Sequence, residues 1–159
     1  MSWSRRALLL AAAGGLAGCG FAPVYAPGGA GLSLRGAVRT TEPNTAFGFA
    51  FTRQIEERLG LPTQTQFDLS WTVAVSSKAL ALDGSNNIRR YNLEGRLDWR
   101  LTPAEGGAAL LSGEESAFTA YSATGSTIST LESERDARRR LAVILADKVV
   151  ARLLAEAGA

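Results

Sequence analysis

Cys19 is the one sulfur nucleophile of this 159-residue chain, and the residues before it, Leu16 and the small Ala17-Gly18, set its chemistry. A signal peptidase that cuts ahead of a cysteine needs small side chains there to reach the backbone. It needs the thiol because that sulfur receives a diacylglycerol. Upstream lie Arg5-Arg6 and an apolar run from Ala7 to Leu16, too short to span a bilayer. A basic start, a short apolar stretch and small residues at the cut describe a secretory signal peptide. Residues 1–18 therefore read as a cleaved lipoprotein signal, with Cys19 as the lipidated mature N-terminus. An ordinary signal cut at Ala13 or Ala17 is the alternative, but it leaves an odd thiol in an oxidising compartment. Ser4-Arg5-Arg6-Ala7-Leu8-Leu9 fits either a twin-arginine signal or a plain basic region.

Little else in the chain can do covalent chemistry. There is no histidine, so neither a Ser-His nor a Cys-His pair can be built. Glu114 and Glu115 are neighbours on an expected strand and point to opposite faces, so they cannot act as a dyad. Glu56-Glu57 read as solvated helix charge. Asp83-x-Ser85-x-Asn87, with Glu94 at the twelfth place, imitates a calcium loop, but Ile88 stands where that loop requires glycine. The chain also lacks a phosphate-binding G-x-x-x-x-G-K-[ST] loop. The reading is a non-enzyme with no metal and no cofactor beyond the covalent lipid. Arg89-Arg90, just after an Asp/Asn-rich turn and near Lys78, is the remaining charged feature. Such cations could grip phosphate or carboxylate groups, or they could guard a sheet edge against strand pairing.

Charge narrows the partners. The chain holds 17 Lys+Arg against 15 Asp+Glu. Loss of Arg5 and Arg6 with residues 1–18 leaves 15 of each in the 141 that remain. A balanced chain of that size is one domain with its own core and a poor nucleic-acid binder.

The elements that must position these residues follow from patterning. Residues 19–31, rich in Gly, Pro and Ala from Ala22 on, read as a lipidated flexible tether to a single domain over 32–159. Leu32, Leu34 and Ala37-Val38 suggest a first strand. Asn44 is the expected N-cap of a helix through Leu59, whose Phe47, Phe51, Ile55 and Leu59 form one apolar stripe. Gly60 is its expected left-handed cap, with Leu61 making the usual contact. Phe67 to Val75 alternate as a strand, and the parity change toward Leu80 and Leu82 implies a bulge or twist between Ser76 and Ala79. Asp83–Asn87 is a turn. Tyr91 to Leu101 alternate again, interrupted at Gly95. A loop containing Pro103 and Gly106-Gly107 leads to a weaker strand, Leu110 to Tyr121, anchored by Phe118. Ser129-Thr130-Leu131-Glu132 has capping-box spacing for a last helix from about Leu131 to Ala155. Its buried arc is Leu141, Ala142, Leu145, Val149 and Leu153. Glu134–Arg138 and Asp136–Arg140 are pairs four residues apart, and Arg138-Arg139-Arg140 points around the helix. Two amphipathic helices need one apolar sheet face, which gives an α+β two-layer sandwich: two helices on one face of a four-stranded, mainly antiparallel sheet.

Gly18-Cys19-Gly20-Phe21-Ala22-Pro23-Val24-Tyr25 resembles the mature start of the lipopolysaccharide-assembly lipoprotein family (LptE), which opens with Gly-Cys-Gly, an aromatic and often Pro-x-Tyr. The element order resembles that family across the mature chain, without the polar C-terminal tail some members carry. The resemblance implies a lipoprotein that helps deliver lipopolysaccharide to the outer leaflet as the plug of a large β-barrel, LptD. It implies a lipopolysaccharide contact at Arg89 or Arg90, with Lys78 added from proximity. By resemblance to lipoprotein sorting rules, Gly20, which is not an aspartate, favours the outer membrane and its periplasmic face. The competing reading is a periplasmic auxiliary lipoprotein of a lipid-exporting ABC transporter, which also begins Gly-Cys. A lipoprotein hydrolase is disfavoured by the missing histidine.

Overall fold

The structure is a computed structural model that describes residues 29–82, 88–123 and 125–157. The expected signal peptide, Cys19 and most of the expected tether lie outside the described residues, as does the expected turn Asp83–Asn87. In chain order the elements are α1 (Ala30–Leu34), β1 (Val38–Thr40), α2 (Ala46–Leu59), β2 (Phe67–Leu82), β3 (Ile88–Pro103), β4 (Leu111–Ser122) and α3 (Thr127–Ala157). The strands lie in the order β1-β2-β3-β4. β1 runs parallel to β2 and the other neighbours are antiparallel. This is the expected α+β sandwich on a mainly antiparallel sheet.

Strand alternation divides the sheet into two faces. Leu69, Leu93, Leu97, Trp99, Leu101 and Tyr121 are buried beneath the helices. From α2, Phe47, half-buried, packs against the core, and Phe51, Ile55 and Leu59 of the same stripe are each at most 1% exposed. Each such side chain contributes about 1.5–3 kcal/mol by leaving water. Phe51 tilts against Trp71 with ring centroids 4.8 Å apart. From α3, Leu141, Leu145, Val149 and Leu153 are fully buried, and the alanines at 137, 142 and 146 let the helix approach closely. Gly95 does not break β3. A Cβ there would lie 2.9 Å from Leu141 Cδ2 and 3.1 Å from Leu145 Cδ1, so the strand omits a side chain where the helix lands.

Several boundaries differ from the sequence reading. Leu32 and Leu34 belong to α1 and not to a strand, so the expected tether already turns helical at Ala30. The N-cap of α2 is Thr45, whose hydroxyl accepts from the Gly48 N–H at 3.0 Å, one residue after Asn44. Gly60 has φ 85° but ψ 159°, an extended exit that leaves Leu61 66% exposed instead of packed. The β2 irregularity falls at Ala79/Ala81 and Ala81/Leu82, beyond the regular rungs from Ser76 to Ala79. Phe118 is 72% exposed on the helix-free face and anchors nothing. Its even position fixes this, because Tyr121 faces the core, stacked on Tyr91 at 5.2 Å. Finally, α3 starts four residues early. Ser126 Oγ accepts from the Ser129 N–H at 3.3 Å, so the expected capping box sits inside the helix. The two expected i,i+4 pairs form: Glu134–Arg138 at 2.8 Å, and Asp136–Arg140.

Candidate functional site

The β2–β3 hairpin carries the three cations singled out from sequence, and its register fixes how far they can cooperate. Lys78 pairs across the strands with Asn92, and Ala79 with Tyr91. Beyond the bulge Ala81 pairs with Arg90, which on its other side pairs with Ser122 of β4. Arg89 and Arg90 are therefore adjacent residues of one strand. Adjacent strand residues leave opposite faces. Arg90 shares the helix-free parity of Asn92 and Glu94, whereas Arg89 takes the helix-side parity of Tyr91. Two guanidiniums so placed serve two surfaces at the strand end and do not close as a pair on one anion. Arg90 also borders a shallow pocket of about 270 Å³ together with Asp136 and Arg140 of α3.

Lys78 is already engaged. Its Nζ lies 2.6 Å from Glu94 Oε2, and the Asn92 amide also donates to Glu94 at 3.3 Å. The hydrogen bond from Lys78 holds the Glu94 carboxyl below the usual carboxylate range. The sequence marked Glu94 only as the twelfth place of a calcium-like loop and not as the partner of Lys78. Only the hairpin register, which sets 78 beside 92 and so diagonal to 94, reveals it.

The helix-free face continues this pattern. Arg39 donates two hydrogen bonds to Asp68, at 2.8 and 3.0 Å, which raises the guanidinium pKa above its ordinary value. Arg96 pairs with Glu114. Glu114 thus points away from the helices while Glu115 does not, and the two carboxylates stay separate as expected. Exposed pairs of this kind add little stability. They form a face of alternating charge, well suited to meeting a polar surface. Across it, at the level of Ala74, Arg96 and Ser116, runs an open groove of about 920 Å³ that holds Phe118 and reaches Ile144 and Lys148 of α3. No helix of the described residues is long and apolar enough to cross a membrane.

A family model described as LptE, lipopolysaccharide-assembly, matches residues 35–153, from the end of α1 almost to the end of α3. The chain belongs to the LptE family. None of the curated proteins matches it significantly. Solved structures share the fold of this LptE-family chain. A Caulobacter crescentus CB15 protein superposes with a TM-score of 0.65 at 18% identity, covering 80% of this chain and 95% of its own. Rare lipoprotein B from Shewanella oneidensis gives 0.57 at 13% identity, covering 76% and 93%. A minor lipoprotein from Acinetobacter baumannii gives 0.56 at 10% identity, covering 76% and 90%. Identities this low speak to architecture alone, so the roles of Arg89, Arg90 and Lys78 are not carried over from them.

Proposed function

We propose that this chain is an outer-membrane lipoprotein, anchored through Cys19 on the periplasmic face, that assists lipopolysaccharide transport and assembly as partner and plug of an LptD-type β-barrel. Family membership across the folded domain carries the reading. The lipobox before Cys19 and the Phe21-x-Pro-x-Tyr25 opening support it independently, because the family model begins only at residue 35. The domain's work in this reading is binding and not catalysis. Arg89 and Arg90 contact lipopolysaccharide phosphates through charge-assisted hydrogen bonds at the far end of the hairpin. A plug must be stiff and must meet the polar lumen of a barrel. The two long strands over an apolar core supply the stiffness, and the alternating charges of the helix-free face supply the polarity.

The test is photo-crosslinking in cells, with the reactive residue placed in turn at positions 84 to 90. Capture of a heat-modifiable outer-membrane barrel subunit is expected. Capture of an inner-membrane transporter component instead, or of nothing at any position, overturns the plug reading. The first of those results substitutes the ABC-auxiliary role.

A further inference from the structure

Among the described residues β4, twelve residues long, is an edge strand, and an open edge of that length is a template for another strand. Its hydrogen-bonding direction alternates. The N–H of Ala123 donates to Arg89 O, so odd residues at this end of the chain face β3 and even residues turn their N–H and C=O outward. Two of those outward carbonyls are occupied by side chains of α3. Arg140 Nη2 donates to Ala120 O at 3.1 Å, and Lys148 Nζ donates to Ser116 O at 2.8 Å. The spacing is matched: eight residues of helix rise about 12 Å, and four residues of strand about 13.5 Å. Asp136 pairs with Arg140 and holds it at its post. Between the two cations, Ile144 and Phe118 share the open groove, 39% and 72% exposed.

We propose that Arg140 and Lys148 are locks that keep β4 from joining β4 of a second copy of this chain. The unlocked edge has a register that suits such pairing. Centred on Phe118, a twofold antiparallel pair sets Phe118 opposite Phe118, Ser116 opposite Ala120, and Glu114 opposite Ser122. No like charges face each other, and two exposed aromatic rings leave water together. In hydrogen-bonded antiparallel pairs each residue both donates and accepts. Ser116 O and Ala120 O would then accept from the other copy, and these are the two acceptors that Lys148 and Arg140 already hold. A carbonyl oxygen can accept twice, so the locks act by crowding and charge: with Ser116 opposite Ala120, the Lys148 of one copy stands beside the Arg140 of the other at the same rung.

The test replaces both cations with methionine, which keeps the packed stems and removes the donors. The membrane-extracted full-length protein, in detergent, is compared with the Arg140→Met/Lys148→Met variant by sedimentation equilibrium. Circular dichroism and a melt check that the variant is folded. The wild-type chain is expected to be monomeric, with the double variant associating into dimers at least about tenfold more tightly, or ~1.4 kcal/mol. Adding Phe118→Lys sets two like charges directly opposite across the twofold axis and is expected to restore the monomer. A folded double variant that stays as monomeric as the wild type overturns the proposal. So does association that survives Phe118→Lys, because it then uses another surface. If the double variant does not fold, Lys148→Met alone is read in the same way.

Discussion

Adding one methyl group at Gly95 measures how tightly α3 is seated on the sheet. Two effects oppose each other. Replacing glycine by alanine restricts the unfolded chain and favours folding by about 0.5–1 kcal/mol. The new Cβ, however, would stand 2.9 Å from Leu141 Cδ2, 3.1 Å from Leu145 Cδ1 and 3.2 Å from Leu141 Cγ. Both leucines are fully buried, so neither can swing into solvent to make room. Overpacking of this kind costs about 1–3 kcal/mol. The steric cost wins, and Gly95→Ala is expected to destabilise by about 1 kcal/mol, moving the urea midpoint down by about 0.5 M. Leu141→Ala alone should cost about 2–5 kcal/mol through the cavity it leaves. When the two changes are combined, the methyl added to β3 occupies part of that cavity, so the double variant should lose about 1 kcal/mol less than the two single losses together. A midpoint for Gly95→Ala at or above the wild-type value, or strict additivity in the double variant, would refute the packing argument for this glycine.

Replacing Arg89 and Arg90 together with glutamate should weaken binding of lipopolysaccharide while moving stability by less than about 0.5 kcal/mol, as exposed charge changes usually do; unchanged binding removes the pair from the ligand contact, and edge protection does not replace that role, because β3 is an inner strand paired on both sides. The Glu94 carboxyl should titrate below the ordinary glutamate range in an NMR pH series, because Lys78 stabilises its charged form. Since that folded-state value is depressed, the pair's contribution is present above the ordinary glutamate range and lost as pH falls through the lowered value. Lys78→Ala should return Glu94 to the ordinary range, and a Glu94 titration unchanged in that variant would show that the pair does not form.

Periodicity in the chain was legible where it was long. The stripe Phe47–Leu59, the alternation Phe67–Val75 and the arc Leu141–Leu153 each repeat often enough to name an element and its buried face. The fold class followed, because two apolar helix faces require one sheet face to cover. Element ends were less legible, since they depend on single side chains. Thr45 and Ser126 cap their helices where Asn44 and Ser129 offered equally plausible oxygens, and only the backbone path chooses between them. Phe118 misled because aromatic size suggests burial, whereas parity along β4 assigns that place to the wet face. The charged site was half legible. Arg89, Arg90 and Lys78 could be marked as cations near a turn, but Glu94, the partner of Lys78, lies sixteen residues along the chain and needs the hairpin register to be seen. The two cations of α3 that meet the β4 carbonyls carried no signal either. In sequence they are surface residues of a helix, and the acceptors they reach are backbone atoms.

The parallel pairing of β1 with β2 gives the molecule a long axis with two unlike poles. Val38 sits beside Phe67, at the rung shared with Pro103, so the segment leading back toward Cys19 joins the sheet at that pole. Leu82, paired with Ile88, marks the opposite pole. From Phe67 to Leu82 the strand spans about 50 Å at ~3.4 Å per residue, more than the ~40–45 Å of a bilayer with its headgroups. The hairpin thus reaches away from the pole at which the chain enters the sheet, and Arg89 and Arg90 lie toward its far end. A turn of the whole domain about the Val38–Phe67 rung would carry that pair through a far larger arc than residues beside the rung. Probes at Phe67 and at Arg90 would therefore report very different displacements from one and the same swing of the domain.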